Sequence, residues 1–267
     1  MNKLKINPAL VQQLLVQFIK EHTEKQGFSK AVLGLSGGLD STVSAYLAVE
    51  ALGRSNVLGV CLPHQQSSPA SLSDANTVAQ ALQITTRQID ITPFVSSFLK
   101  TFPDMTPLQL GNVMARCRMI SLYQISADEG ALVLGTSNKS EILLGYGTLH
   151  GDLAAAFMPL GDLYKTQVRQ LAEHLAVPEA ILTKPPSADL WEGQSDEDEM
   201  GLTYAEADRF FIRWMDGRCT REELIEEGFS PEFTDKVMRR VQAQQFKRTL
   251  PPVPDISKLT TARDWQK

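Results

Sequence analysis

The chain has 267 residues, of which 43% are hydrophobic and 21% are charged, and its formal net charge is −5. This composition is typical of a globular protein with a substantial core and excludes a disordered chain. An acidic chain lacks the cationic surface that a phosphate backbone attracts, so we expect no nucleic-acid partner.

The cysteines and the N-terminus indicate the compartment. Cys61, Cys117 and Cys219 are far apart and form no C-x-x-C pair, so we expect reduced thiols rather than disulfides or a zinc site. The first ten residues lack the long apolar region of a signal peptide. No apolar run approaches the roughly 20 residues of a membrane span. The sequence therefore predicts a cytoplasmic protein with no membrane partner.

Hydrophobic patterning predicts alternating helices and strands over the first half of the chain. Pro8 and Gly27 bracket an amphipathic helix, in which Leu10, Leu14, Phe18 and His22 share one face and Leu15 and Ile19 widen it. The alternation predicts an α/β fold, a doubly wound parallel sheet with helices on both faces. The later elements are predicted at 31–35 (strand), 42–52 (helix), 56–62 (strand), 71–82 (helix capped by Ser71), 84–91 (strand), 107–127 (helix) and 131–135 (strand).

The region after residue 183 has a different character. Residues 184–200, KPPSADLWEGQSDEDEM, form a long polar segment of the kind that often acts as a lid. We expect its DEDE run at 196–199 to be a solvated face of a mobile lid rather than a metal cluster. A helical C-terminal extension follows, with helices near 203–215, 220–227 and 231–247 and an irregular proline-rich tail. We expect one domain over 1–267, with a core at about 28–183 and the lid and C-terminal helices at about 184–267.

Residues 36–41, Ser-Gly-Gly-Leu-Asp-Ser, lie between a predicted strand and a predicted helix. Glycines let the backbone approach a ligand, a helix N-terminus attracts anions, and Ser36 and Ser41 add hydroxyl donors, which together indicate a phosphate site. Asp40 would repel phosphate unless a cation intervened, and Mg²⁺ takes one or two carboxylates plus phosphate oxygens. The alternative is a plain strand-to-helix turn with Asp40 or Ser41 as N-cap. The lysine of a Walker A loop is absent.

SGGLDS resembles the signature of the ATP-pyrophosphatase families, which cleave ATP between its α and β phosphates and adenylate a substrate. Five later motifs occur in order: GNVMARCRM (111–119), GTSNKSE (135–141), GYGTLHGD (145–152), PLGDLYKTQVRQLA (159–172) and KPPSADLWEGQSDEDEMGLTY (184–204). With them, most of the chain resembles the ammonia-dependent NAD synthetases. The resemblance implies an adenine nucleotide alpha-hydrolase-like fold and a homodimer with the substrate site near the subunit interface. It implies conversion of deamido-NAD to NAD with ATP, Mg²⁺ and ammonia.

The resemblance also implies roles for individual residues. Asp40 and Glu141 match the metal ligands, although Glu141 alone would fit an ordinary first-turn helix glutamate. Lys165 matches a lysine on the ATP phosphates, and with Asp40, Glu141 and Asp152 it forms the expected catalytic set. The implied deamido-NAD site comprises Arg116, Asp152 and Lys247. The implied ATP site comprises Gly34, Leu35, Ser36, Gly37, Gly38, Leu39, Asp40, Ser41, Thr136, Lys165 and Ser187.

Some positions depart from the family pattern in the substrate half of the site. Leu149 stands where relatives carry a substrate-binding lysine, and the following His150 is a candidate replacement, although histidine is mostly neutral at pH 7. No second aspartate follows at Ala156, and Phe246 replaces a histidine. Arg118 lies two residues beyond Arg116. On a helix the two face different directions, so we expect one to bind phosphate and the other to be structural.

The sequence opposes three other functions. A tRNA-thiolating enzyme usually needs reactive cysteines and a basic surface, and both are missing here. GMP synthetase shares SGGLDS but not GTSNKSE followed by KPPSADL. A non-catalytic nucleotide sensor would keep the phosphate site, but the presence of both Asp40 and Glu141 opposes it. The synthetase portion uses all 267 residues, so we expect no amidase domain and free ammonia as the nitrogen donor.

Overall fold

The computed structural model describes residues 4–190 and 193–254. Its parallel sheet has the strand order β3-β2-β1-β4, so the predicted doubly wound α/β fold is confirmed. β1 pairs with β2 on one side and with β4 on the other. The chain order therefore reverses between β1 and β4, and ligands of open α/β sheets bind beyond the strand ends at such a point. The strands are β1 Ala31–Gly34, β2 Val57–Cys61, β3 Thr85–Gln88 and β4 Leu132–Val133.

Helices cover both faces of the sheet and extend beyond it. Helix α10 continues into a wider π-type turn at Ile212–Asp216, and short 3₁₀ turns lie at Arg54–Asn56 and Gln245–Arg248. No helix of the described ranges is both long and apolar enough to cross a membrane. The α-helices are α1 Pro8–Lys25, α2 Leu39–Leu52, α3 Pro69–Leu82, α4 Thr92–Thr101, α5 Pro107–Glu129, α6 Lys139–Leu144, α7 Lys165–His174, α8 Glu179–Leu182, α9 Asp196–Met200, α10 Tyr204–Phe211, α11 Arg221–Glu226 and α12 Pro231–Ala243.

The central strand is apolar throughout because both of its faces are covered. Leu33 of β1 packs in a cluster with Val43 and Leu47 of α2. Val32, which points to the opposite face, packs in a second cluster with Met114 of α5. These two layers fix the strand ends, and therefore the loops that follow them.

The C-terminal helices form a third apolar cluster beside the sheet. Phe210 and Phe211 of α10 are fully buried and pack with Leu144 at the end of α6 and with Tyr164 just before α7. The Tyr164 and Phe211 rings are stacked with centroids 6.3 Å apart. This contact fixes the start of α7, which is where Lys165 lies.

Several sequence predictions about element ends and faces are wrong. Within the apolar face predicted for α1, Ile19 is fully buried, whereas Leu10 and Leu14 are 52% and 60% exposed. Helix α3 begins at Pro69 and is capped by Ser68, not Ser71. Proline is well suited to the first helical position, so the helix starts earlier than its hydrophobic pattern indicated. Helix α4 was not predicted from the sequence at all.

Candidate active site

The loop from Ser36 to Ser41 follows β1 and is closed by its own hydrogen bonds. The Ser36 and Ser41 hydroxyls lie 3.0 Å apart, and the Gly38 amide donates to Ser36 Oγ at 3.2 Å. Helix α2 begins at Leu39, with Gly38 as an N-cap that makes no side-chain bond. The alternative in which Asp40 or Ser41 caps the helix is therefore wrong. Asp40 lies in the first turn, with its carboxylate available for other contacts.

Gly37 allows the loop to lie directly against α3. Its φ of +74° is in the left-handed region, and a Cβ there would lie 2.4 Å from the carbonyl oxygen of Ser71 and 2.8 Å from Asp74 Cβ. Gly37 is consequently buried against α3 and does not border the cavity described below. Among the predicted glycines, Gly37 makes the turn and the close approach, while Gly34 and Gly38 border the cavity.

Three charged side chains meet at the reversal point between β1 and β4. Lys165 at the start of α7 donates to Asp40 and, at 3.1 Å, to Glu141. Asn138 joins the two acids, since its Nδ2 donates to Asp40 at 3.0 Å and its Oδ1 accepts from the Glu141 amide at 3.0 Å. The charged side chains are 11–16% exposed. The structure thus brings together three residues that lie far apart in the sequence.

The pKa values in this cluster are strongly perturbed. Burial would lower the pKa of Lys165, but the carboxylates of Asp40 and Glu141 outweigh it and hold that pKa above its ordinary value. Burial raises the pKa of Glu141 to about 7, against the opposing effect of Lys165 and with a further rise from Asp40. Two carboxylates beside one ammonium leave a surplus of negative charge. Such an oxygen-rich, negative site suits a hard cation.

A large cavity of about 1300 Å³ opens at the carboxyl edge of the sheet beside this cluster. Pockets for one drug-sized ligand occupy roughly 300–1,000 Å³, so this cavity has room for two substrates. Of the predicted site residues, Gly37 and Arg116 do not border it. Those that do are Gly34, Leu35, Ser36, Gly38, Leu39, Asp40, Ser41, Thr136, Glu141, Asp152, Lys165, Ser187 and Lys247.

Asp152 and Lys247 lie together on one side of this cavity. The Asp152 carboxylate accepts from the Thr148 amide at 2.8 Å, and Lys247 Nζ donates to the carbonyl oxygens of Gly145 and Gly147 at 2.8 and 2.9 Å. Burial lowers the pKa of Lys247. His150 is exposed and does not border the cavity. Within one chain it therefore does not replace the lysine that relatives carry at the position of Leu149.

The two arginines of α5 face different directions, as their spacing predicts. Arg118 borders the cavity and donates from Nε to the Leu62 carbonyl at 3.1 Å. Arg116 is exposed, donates to the Leu149 carbonyl at 3.2 Å and borders a separate shallow depression with Phe102. The assignment of Arg116 to deamido-NAD stays a prediction. Within one chain, Arg118 is the one of these two α5 arginines that borders the large cavity.

The described parts of the lid, 184–190 and 193–200, lie along the cavity. Asp196 is only 4% exposed, and its carboxylate accepts from the Ala188 amide and the Tyr146 hydroxyl, both at 3.0 Å. The prediction of a fully solvated DEDE face is therefore wrong at Asp196. Asp196 thus accepts a backbone hydrogen bond from residues 184–190, which form the first arm of the lid. Within 4–190 and 193–254, no cluster of three or more His, Cys, Asp or Glu side chains is placed to hold a metal.

Comparison with known proteins decides the family. Residues 11–251 match the model of the NAD synthase family. An NH(3)-dependent NAD(+) synthetase of Trichlorobacter lovleyi is 48% identical over 266 residues, which cover 100% of this chain and 97% of that protein. The protein of the same name from Fusobacterium nucleatum is 47% identical over 258 residues, which cover 97% of this chain and 100% of that protein. The chain belongs to the NAD synthase family.

Solved structures of NAD synthase family members and their relatives share this fold. The NH3-dependent NAD synthetase of Campylobacter jejuni superposes with a TM-score of 0.80 at 33% identity, over 93% of this chain and 100% of that one. A protein described as NMN synthetase, from Francisella tularensis, superposes with a TM-score of 0.83 at 34% identity, over 94% of this chain and all of the other.

Sequence reasoning missed several polar contacts of this NAD synthase family site. Asn138 is fully buried and orients both acids, and its signal was the capping-box spacing Asn138-x-x-Glu141. Lys184 borders the cavity from the first residue of the lid, and no sequence pattern distinguishes it from a solvated lysine. Arg118 was considered, but its direction could not be derived without the fold.

Proposed function

We propose that this chain catalyses the ATP-dependent amidation of deamido-NAD to NAD with ammonia, the final step of NAD biosynthesis. The observation that carries the proposal is the Asp40–Lys165–Glu141 cluster beside the glycine turn at the sheet's reversal point. It combines a phosphate-binding loop with a negative site for a cation. The names and full-length similarity of the relatives supply the substrate.

The reaction begins when a carboxylate oxygen of the nicotinate ring bonds to the α-phosphorus of ATP. The bond between the α-phosphorus and the bridging oxygen breaks, and pyrophosphate leaves with the electron pair. Ammonia then attacks the acyl carbon, and AMP leaves with the oxygen that came from the carboxylate. Little covalent chemistry falls to the protein in such a transfer, so positioning and charge stabilisation carry most of the rate. The lid keeps water from the acyl-adenylate.

We assign Asp40 and Glu141 as the ligands of Mg²⁺. Mg²⁺ commonly takes one or two carboxylates and completes its shell with substrate phosphates and water, so a third protein ligand is not needed. When bound, it supplies positive charge to the phosphates. Lys165, whose ammonium pairs with both acids, would then be available to a phosphate oxygen. We assign Asp152 and Lys247 to the binding of deamido-NAD.

The assay that tests this function offers two nitrogen donors separately. Purified protein is incubated with ATP, Mg²⁺ and deamido-NAD, plus either ammonium or glutamine, and NAD is measured. We expect NAD with ammonium and none with glutamine alone, in line with the names of the relatives. ATP binding without NAD formation from either donor would support the nucleotide sensor instead.

A second candidate substrate is the mononucleotide acid that corresponds to NMN. The Francisella tularensis protein described as NMN synthetase superposes with a TM-score of 0.83, so the fold admits that substrate class. The curated relatives at 47–48% identity are named for NAD instead, and we therefore favour the dinucleotide. The ratio of kcat/KM for deamido-NAD and for nicotinic acid mononucleotide decides, and we expect it to exceed one.

Acidification below pH 7 is expected to weaken Mg²⁺ activation. Burial raises the pKa of Glu141 to about 7, so this carboxyl is protonated and uncharged below that pH and ionised above it. One proton competes with the metal, so the Mg²⁺ activation constant should rise about 10-fold per pH unit below 7. Titrations of initial rate against Mg²⁺ from about pH 5.5 to about pH 8 measure this slope. The same titrations with Glu141→Gln should lose it, and a flat wild-type profile would contradict the assignment.

We propose a homodimer that buries the exposed apolar face of α4 and α5. Phe98 and Phe102 at the α4 end and Ile120 and Tyr123 of α5 are all exposed, with Ile120 at 61%. Arg116 shares the α5 face of Ile120 and Tyr123 by helical spacing, which would bring it to the subunit interface. Large exposed apolar patches of this kind mark interaction sites.

Replacing Ile120 by glutamate is expected to give monomers. A charge in the centre of the apolar face would be desolvated without a partner, at a cost of several kcal/mol. Sedimentation equilibrium of the variant measures the change. Leu14→Glu, on the exposed side of α1, is the matched control and should leave the wild-type mass unchanged. A dimer of unchanged affinity in Ile120→Glu would place the interface elsewhere.

A further inference from the structure

Lys184, the first residue of the lid, has an ammonium group held at the rim of the cavity. Its Nζ donates to Asp74 Oδ2 at 2.8 Å and to Ser71 Oγ at 3.2 Å. The lysine side chain is 26% exposed and the aspartate side chain 22% exposed. Both Lys184 and Ser71 border the cavity. The ammonium therefore faces the same space as the nucleotide site and is not a solvated surface charge.

The same two partners connect Lys184 to the phosphate loop. Gly37 packs against the backbone of Ser71 and against the side chain of Asp74, so closely that a Cβ on Gly37 would overlap both. Ser71 and Asp74 therefore contact the Lys184 ammonium with their side chains and also lie against the loop. A lysine side chain has four rotatable bonds, so its ammonium can change partners without movement of the backbone.

A second contact keeps the first arm of the lid in this position. Asp189 accepts from the amide of Ser68, the N-cap of α3, with both carboxylate oxygens at 3.2 Å. Lys184 and Asp189 thus attach the arm at two points along the start of α3. The arm would stay in place if Lys184 released Asp74, so the lysine is free to change partners.

The proposed reaction needs a cation at this place. Lys165 pairs with the two acids Asp40 and Glu141, whereas negative charge accumulates on the departing pyrophosphate. Positive charge positioned where charge develops lowers the barrier most effectively. The pyrophosphate group carries several negative charges and the Asp74 carboxylate only one, so pyrophosphate would compete with Asp74 for the lysine.

We propose that Lys184 binds the β- and γ-phosphate oxygens of ATP and holds the pyrophosphate leaving group. In the absence of nucleotide, Asp74 and Ser71 hold the ammonium at the rim. When the phosphates arrive, the ammonium exchanges Asp74 for phosphate oxygen, and it returns when pyrophosphate leaves. Lys184 thereby couples the base of the lid to the state of the phosphates. The assignment rests on the proposed function and adds Lys184 to the residues that bind its phosphates.

Calorimetric titration with magnesium pyrophosphate tests the assignment without requiring turnover. Lys184→Gln should raise the dissociation constant for pyrophosphate ~10–100-fold, the usual effect of losing one charge-assisted hydrogen bond. In steady-state kinetics, the variant should show a matching rise in the pyrophosphate inhibition constant and in KM for ATP, with KM for deamido-NAD unchanged. Lys184→Arg should restore part of the binding. Lys236→Gln, which removes a lysine bound to the Gly201 carbonyl outside the cavity, is the matched control.

Asp74→Asn separates the pyrophosphate subsite from a structural salt bridge. If Lys184 only attaches the lid through Asp74, both Lys184→Gln and Asp74→Asn should weaken pyrophosphate binding equally. If Lys184 binds pyrophosphate, Asp74→Asn should leave that binding unchanged or tighter, because the lysine loses its competitor. Equal weakening, or no weakening in Lys184→Gln, would overturn the assignment. Failure of wild-type protein to make NAD while it binds pyrophosphate would instead count against the proposed function.

Discussion

Replacing Asp40 by asparagine is expected to lower kcat about 10³-fold, because the variant loses one of the two carboxylates that we propose as ligands of the cation that neutralises the phosphates. That factor corresponds to about 4 kcal/mol of transition-state stabilisation. The wild-type cluster has two acids for one lysine, and the variant has one acid for one lysine. Excess buried charge destabilises a fold, so the unfolding temperature should be maintained or raised.

Initial rates at saturating substrates and thermal unfolding of the same preparations measure both effects. Asp162→Asn is the matched control, since Asp162 also pairs with a lysine, Lys139, but is 96% exposed and lies outside the cavity. It should retain wild-type activity. Asp40→Asn activity within tenfold of wild type would contradict a metal role for this residue. A large loss of stability would indicate that Asp40 is mainly structural.

Replacing Gly37 by alanine is expected to damage both the phosphate site and the fold. A left-handed backbone costs a non-glycine residue about 1–2 kcal/mol. The new Cβ would also lie 2.4 Å from the Ser71 carbonyl oxygen, a backbone atom that cannot rotate away. Overpacking of this kind costs about 1–3 kcal/mol more. The loop must move away from α3, and ATP affinity should fall ~100-fold because amide positions tolerate little displacement.

Gly130→Ala separates backbone strain from the clash. Gly130 ends α5 at a φ of +57°, and a Cβ there meets nothing within 4 Å. We expect that variant to lose about 1 kcal/mol of stability and to bind ATP as the wild type does. Chemical denaturation and nucleotide titration of both variants give the comparison. Equal effects in Gly37→Ala and Gly130→Ala would show that the contact with α3 does not hold the loop.

The fold was predictable where the sequence carries a local signal. The apolar run at β1, the alternation of strands and helices, and the glycine turn all depend on neighbouring residues, and the structure confirms them. The buried face of α1 was predicted only in part, because its apolar residues surround much of the helix. Only the neighbouring α2 and α7 decide that Ile19 is buried and Leu14 is exposed. The start of α3 was predicted two residues too late, because only Pro69 indicates the true start and the hydrophobic pattern begins after it.

The sequence predicted which residues belong to the candidate site better than it predicted the contacts among them. The motifs indicated Asp40, Glu141 and Lys165, but the ion pairs among them join residues that are 24 and 125 positions apart. Such contacts depend on the sheet order, which places β1 beside β4. Arg118 and Lys184 have side chains that any exposed helix or loop could carry. Tertiary packing directs these two side chains towards the cavity, so no local sequence pattern predicts their position.

We expect the carboxylate of deamido-NAD to attack the α-phosphorus of ATP in this cavity. Deamido-NAD labelled with oxygen-18 in its carboxylate, together with ATP, Mg²⁺ and ammonium, tests it most directly when AMP is analysed by mass spectrometry. We predict that AMP carries one oxygen-18 atom and forms in equal amounts with NAD and pyrophosphate. Unlabelled AMP, or ADP with labelled inorganic phosphate, would contradict the adenylate and with it the roles given to Asp40, Glu141 and Lys165.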